Sequence, residues 1–305
     1  MQLPEKIHIQ NELYLSISSY EPKHITQQQW FISLLAEWVQ TIPLNKHQYY
    51  IPLNKKLGIW HAYIPPFMQK IECAELNLFE AESLLRSLHT KYSCGNICLP
   101  QDIDCVVLNI EKSKRNNYIL ALNKTYEEIY QHYHKGHKLN IKFAQKQEII
   151  ISKTQDFQNF TKLYRLHSHK DIPAKYKSAD HLNALIKACM DRGHGLIFQA
   201  QNIKGEILAA CFLSDYKDRY VYHLSFASEE GKEKYAMHAI LDQLIKDQAN
   251  SNKILDFEGS MIPGVAYFMK GFGATEEYYY QYIWNEALLC KIINFARRVK
   301  SGIFK

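Results

Sequence analysis

The sequence predicts a mixed α/β protein of two domains. Three observations carry this. A chain of 305 residues lies near the size at which a single hydrophobic core stops growing and chains divide. Its composition, 47% hydrophobic and 22% charged, is that of an ordinary globular protein. Its periodicity switches repeatedly between helical and strand patterns, and the second half reads helix, helix, strand, strand, strand, helix, strand, helix, strand.

The first half opens on residues 26–41, TQQQWFISLLAEWVQT, where Trp30, Leu34, Leu35 and Trp38 recur at helical spacing and predict an amphipathic helix. HQYYIPL and LGIWHAYI then flank the polar turn Asn54-Lys55-Lys56 as a hairpin, which Pro65-Pro66 ends. Residues 75–88 resume helical periodicity, and 104–110, DCVVLNI, read as a short buried strand. Thr125 and Glu128 have the spacing of a capping box and start a helical stretch that Gly136 interrupts. There His132, His134 and His137 sit among Lys135, Lys138, Lys142 and Lys146, a basic surface hairpin joining two domains, cut at 1–147 and 148–305.

The second half carries helices over 156–167 and 178–192, with Gly193 past the end of the latter. Strands follow in GLIFQAQ, EILAACFLS and RYVYHLSFA, then a helix over 235–250 with Ala236, Ile240, Leu244 and Ile245 on one face. KILDF, a short helix over 263–270, EEYYYQYIW and a terminal helix from Asn285 complete the order.

Net charge of +6 suits a polyanionic ligand such as a nucleotide or tRNA. Seven scattered cysteines fit reduced thiols and supply no paired metal-ligand spacing, so no metal is expected. The first residues show no apolar run behind a basic start, and no segment reaches the roughly 18 apolar residues of a spanning helix, which reads as cytoplasmic. The terminal stretch, NEALLCKIINFARRVKSGIFK, is amphipathic with a basic face, and peripheral membrane contact is one use for it.

The densest chemistry lies in residues 255–274, LDFEGSMIPGVAYFMKGFGA, which hold four of the 12 glycines. Pro263 suits a helix start, and Gly271 and Gly273 suit a helix end at which backbone can approach a ligand. This segment resembles the carboxy-terminal signature of the Fem family of peptidoglycan-bridge aminoacyltransferases, a D-F-x-G element followed by G-x-x-x-F-K-x-G-F-G. YYIPLNKKLGIWHAYIPPFMQK and NKTYEEIYQHYHKGHKLNIKFAQK are similar to two earlier elements of that family, and the strand-helix order is that of the acyl-CoA N-acyltransferase fold. The resemblance implies a bacterial-type protein of tandem GNAT-like domains, each a mixed, mostly antiparallel sheet flanked by helices, with the groove in the second. It also implies an aminoacyl-tRNA or acyl-CoA donor with no tightly bound cofactor, and a nucleotide-linked cell-wall precursor or tRNA as partner. By the same resemblance Lys270 takes a catalytic or phosphate-binding role. Glu258 departs from the pattern, standing where a small residue, usually glycine, is common.

Acyl transfer to an amine needs a proton acceptor, because an alkyl amine is mostly protonated at neutral pH. Glu258, at a strand end, is the first candidate base and His223, in RYVYHLSFA, the second. Lys270, between Phe268, Met269 and Phe272, is the candidate for holding phosphate or oxyanion. Tyr267, Phe272, Gly271 and Gly273 are expected to line the substrate site. Acyl-CoA enzymes of this fold cradle pyrophosphate on a glycine-rich helix start. Here SEEGKEKYAMHA offers only Gly231, with Lys232 and Lys234 as phosphate contacts. That departure favours an aminoacyl-tRNA donor. The alternatives are a CoA-dependent N-acyltransferase of polysaccharide synthesis and a non-catalytic binding protein on the same scaffold.

Overall fold

A computed structural model describes residues 22–44, 47–105, 108–168 and 179–286. In chain order the elements are α1 (Gln29–Leu35), β1 (Trp38–Leu44), β2 (His47–Lys56), β3 (Ile59–Tyr63), α2 (Leu78–Lys91), β4 (Cys94–Leu99), β5 (Glu111–Ala121), α3 (Tyr126–Gln131) and α4 (Lys135–Ala144). There follow β6 (Ile150–Thr154), α5 (Phe157–Ser168), α6 (Ala179–Asp191), β7 (Gly195–Gln201), β8 (Ile207–Tyr216), β9 (Arg219–Ala227), α7 (Glu229–Glu233), α8 (Ala236–Gln248), β10 (Ile254–Asp256), α9 (Pro263–Lys270) and β11 (Thr275–Asn285).

The chain forms two compact units, 1–115 with 278–305, and 116–277. The expected cut at 147/148 falls inside the second unit.

In the first unit β1, β2 and β3 form an antiparallel meander, β4 runs parallel to β3, and β11 pairs antiparallel with β4. The helix expected over 26–41 stops at Leu35. From Trp38 the chain is strand, because Val39, Thr41 and Ile42 are β-branched and pair with β2, while Trp38 packs edge-on against Trp60 at 5.4 Å. The hairpin turns at Leu57-Gly58, both at positive φ (50° and 82°), and Asn54, Lys55 and Lys56 lie in the ladder opposite His61, Trp60 and Ile59. Residues 102–105 and 108–110 form no strand; the strands are β4 and β5. A side chain at Gly95 would overlap Trp284, whose indole is buried and donates to the Tyr92 carbonyl.

The second unit holds one sheet, ordered β5-β10-β9-β8-β7-β6, antiparallel except where β10 runs parallel to β9. On one face α3, α4, α8 and α9 cover a core of Tyr118, Leu120, Phe198, Leu213, Leu241, Leu255, Phe257 and Phe272. Capping boxes start α2, from Asn77 and Glu80, and α3, from Thr125 and Glu128. The terminal helix expected from Asn285 lies outside the described residues. Cys73, Cys98, Cys105, Cys189 and Cys211 are buried free thiols, whereas Cys94 is disulfide-bonded. Among the described residues no helix is long and apolar enough to cross a membrane, and no His/Cys/Asp/Glu group is placed to hold a metal ion.

Candidate active site

Strand β9 loses register with β8 at one point: Leu213 faces Tyr222 and Phe212 faces Leu224, so His223 is the extra residue of a bulge. A bulge re-aims its side chain, and His223 lands on the face of Phe212 and Ser214. Its ring stacks on Phe212 at 5.8 Å, and its Nε2 lies 2.9 Å from Ser214 Oγ. Its Nδ1 lies 3.6 Å from Glu258 Oε1. The two candidate bases, 35 positions apart in the chain, are thus neighbours in space.

Their accessibility separates their roles. The His223 side chain is 1% exposed and that of Glu258 24% exposed, so of the two Glu258 is the one open to solvent. Glu258 has φ of 57°, the left-handed region that favours glycine. This is the physical content of the departure noted in the sequence: the position asks for glycine and carries a carboxylate. Asp256 holds the bend by accepting the Glu258 N–H at 2.8 Å, and Asp256 is itself buried and ion-paired to Arg219.

The same place is where the sheet opens. β10 pairs with β9 only across Ile254–Asp256 and Arg219–Val221, whereas β9 continues to Ala227 on its β8 side. Past Val221 the other edge of β9 leaves the described ladder, and Glu258 follows β10 at that divergence.

Among the glycines of residues 255–274, Gly271 serves packing, whereas a Cβ at Gly264 would meet nothing within 4 Å. A Cβ at Gly271 would lie 2.0 Å from the His137 ring, and the Gly271 carbonyl accepts the His134 N–H at 2.9 Å. Gly273 takes the positive φ, 79°. Phe272, expected at the substrate site, has no exposed surface and packs on Tyr133, His137 and Phe257, which makes it core. Tyr267 is exposed beside His134. Lys270, in the last turn of α9, is half-exposed, ion-paired to Glu276, with its ammonium 5.6 Å from the centre of the Tyr118 ring.

The turn from β9 into α7 is capped by its own serine, whereas the start of α8, at Tyr235, has no side-chain cap. Ser228 Oγ accepts the Gly231 N–H at 3.0 Å, and a side chain at Gly231 would strike the Leu208 carbonyl. Lys232 pairs with Glu229 and Lys234 with Glu230, both at 2.6 Å. The residues expected to greet a pyrophosphate are already engaged with their own helix.

Sequence reading passed over Ser214, Asp256 and Arg219. Asp256 stands in the D-F-x-G element and was in view; Ser214 and Arg219 sit in strand patterns where nothing marks them until the strands are laid side by side.

Residues 133–259 match the family model described as Acetyltransferase (GNAT) domain. No curated protein matches the chain. Among solved structures, FemX aligns at TM-score 0.65 and 13% identity over 88% of this chain and 94% of its own. The C-terminal domain of an Agrobacterium fabrum protein assigned as a lysylphosphatidylglycerol synthetase aligns at 0.55 and 9% identity over 88% and 90%. L-PGS from Bacillus licheniformis aligns at 0.53 and 10% over 86% and 88%.

Proposed function

We propose that this chain, whose fold is that of the GNAT acyltransferases as seen in FemX, moves an activated acyl or aminoacyl group onto an amine. The observation that carries the reading is Glu258: a carboxylate in a backbone conformation suited to glycine, standing where β9 and β10 diverge, with the buried His223 behind it. A strained residue kept at an opening points to use.

In the step, the amine nitrogen bonds to the acyl carbonyl carbon while the oxygen or sulfur of the donor leaves with the bonding pair. Glu258 accepts the amine proton, and the leaving group is reprotonated from solvent. Lys270 meets donor phosphate or the developing oxyanion by exchanging Glu276 for it, strengthened by the aromatic surroundings of Tyr118. His223 is a positioning residue, since its burial keeps it from touching the amine.

For the donor we favour aminoacyl-tRNA. The Fem resemblance, the net charge of +6 and the self-paired lysines of the turn over 228–234 support it. The acceptor class is the amine of a nucleotide-linked cell-wall precursor. A second reading, acyl-CoA as donor in polysaccharide synthesis, is favoured by the match of residues 133–259 to an acetyltransferase model.

The test is turnover of the purified chain on amine acceptors with aminoacyl-tRNA and, separately, acetyl-CoA. Glu258→Gln is expected to lower kcat about 100-fold or more, the usual worth of a general base, with KM little changed. Lys270→Ala is expected to raise the donor KM, and Glu276→Gln to lower it. Unchanged kinetics in both Glu258→Gln and Lys270→Ala would move the chemistry to other residues, and no turnover by the unmodified chain on either donor would leave the protein a binding scaffold.

A further inference from the structure

The geometry points to Ser214 as the residue that sets the tautomer of His223 and, through it, the orientation of Glu258. This rests on the acyl-transfer reading above and adds a positioning residue to it. Ser214 is fully buried in β8, directly across the sheet from Val221, and its hydroxyl meets His223 Nε2 at 2.9 Å. In the neutral ring that contact admits two arrangements. If Nε2 carried the ring proton and donated to Ser214, the Nδ1 lone pair would face the Glu258 carboxylate oxygen at 3.6 Å, two electron-rich atoms opposed in a largely dry site. If Ser214 donates its O–H to Nε2, the ring proton sits on Nδ1 and is aimed at that oxygen. The second arrangement is the attractive one, and a small closure brings Nδ1–H to Oε1 within hydrogen-bond range when substrate fills the opening.

The ring cannot swing away from this choice. Phe212 stacks on one side of it, and the bulge fixes its point of attachment. The charged groups on the adjoining strands are committed to each other, Arg219 to Asp256, and Asp256 also takes the Glu258 N–H. Strands β8 and β9 and the bend after β10 therefore contribute one member each to a line, Ser214 to His223 to Glu258, with only its last member open to substrate. Ser214 itself is too buried to be a nucleophile; its part is to keep the imidazole a donor towards the carboxylate.

The first experiment needs no activity. Nitrogen-15 NMR of the ring of His223, assigned with His223→Gln, is expected to show the Nδ1–H tautomer in the unmodified chain and a mixture in Ser214→Ala. Ser214→Thr keeps the hydroxyl and is expected to restore the wild-type spectrum. In turnover, Ser214→Ala is expected to lower kcat about five- to tenfold, the rate equivalent of one hydrogen bond, at constant KM, with Ser214→Thr recovering most of it. An Nε2–H tautomer in the unmodified protein, or equal kcat in Ser214→Ala, overturns the proposal and leaves the acyl-transfer reading standing. A wild-type chain that transfers from neither donor fails the acyl-transfer reading, and the proposal falls with it even if the tautomer is Nδ1–H.

Discussion

Glu258 sits at φ of 57°, where a side chain raises the backbone energy by about 1–2 kcal/mol over glycine. Replacing it by glycine removes that strain and adds roughly 0.5–1 kcal/mol of unfolded-state entropy. The expected result of Glu258→Gly is a Tm held or raised by about 1–3 °C together with loss of transfer. Differential scanning calorimetry and the turnover assay check the two halves separately. A Tm lowered by several degrees would mean that the carboxylate contact with His223, more than the Asp256 bend, holds the loop.

At the scale of elements, α4, α8 and α9 meet through two histidines. His137 is buried with its Nε2 2.9 Å from the Phe268 carbonyl, and its ring lies 4.7 Å from that of His238. The Asn140 side-chain amide approaches His238 Nε2 at 3.2 Å, so a neutral ring accepts there. Burial, and then the neighbouring His137, push His238 down to about 4, and burial lowers His137 as well. The unfolded chain therefore binds more protons than the fold between the ordinary histidine value of about 6.5 and about 4. Stability from this junction is complete above pH 6.5 and is lost as pH falls through the folded value, on the order of 3 kcal/mol for His238. Asp242, one turn along α8 and held by the Tyr126 hydroxyl, is raised by burial and works in the opposite sense in acid. Tm measured from pH 7.5 to 4.5 is expected to fall, with a shallower slope in His238→Gln; identical slopes would remove His238 from the account.

At the scale of the whole molecule, a ligand at about 100 times its Kd adds roughly 2.7 kcal/mol and lifts Tm by several degrees. With Lys232 and Lys234 paired within their own turn, acetyl-CoA up to millimolar concentration is expected to leave Tm unmoved, and a concentration-dependent rise would establish CoA as the donor. The second unit was largely legible in the sequence. A continuous apolar run in EILAACFLS and alternation in RYVYHLSFA gave β8 and β9, and Pro263 opened α9 where expected. β5 was less so: EKSKRNNYILA starts with too many polar residues to read as a strand, and its pairing with β10 is a contact that no local pattern reports. Glu258 and His223 were visible one at a time; that they meet depends on a bulge and a strand order. The division of the chain has one more consequence, for biosynthesis. Since β4, at Cys94–Leu99, pairs with Tyr280–Asn285 of β11, a ribosome completes the whole 116–277 unit while the first unit still lacks a strand. The edge of β4 that β11 covers lacks its partner through that interval, which is the time when edge-to-edge association has most opportunity, and the pairing of β11 closes it.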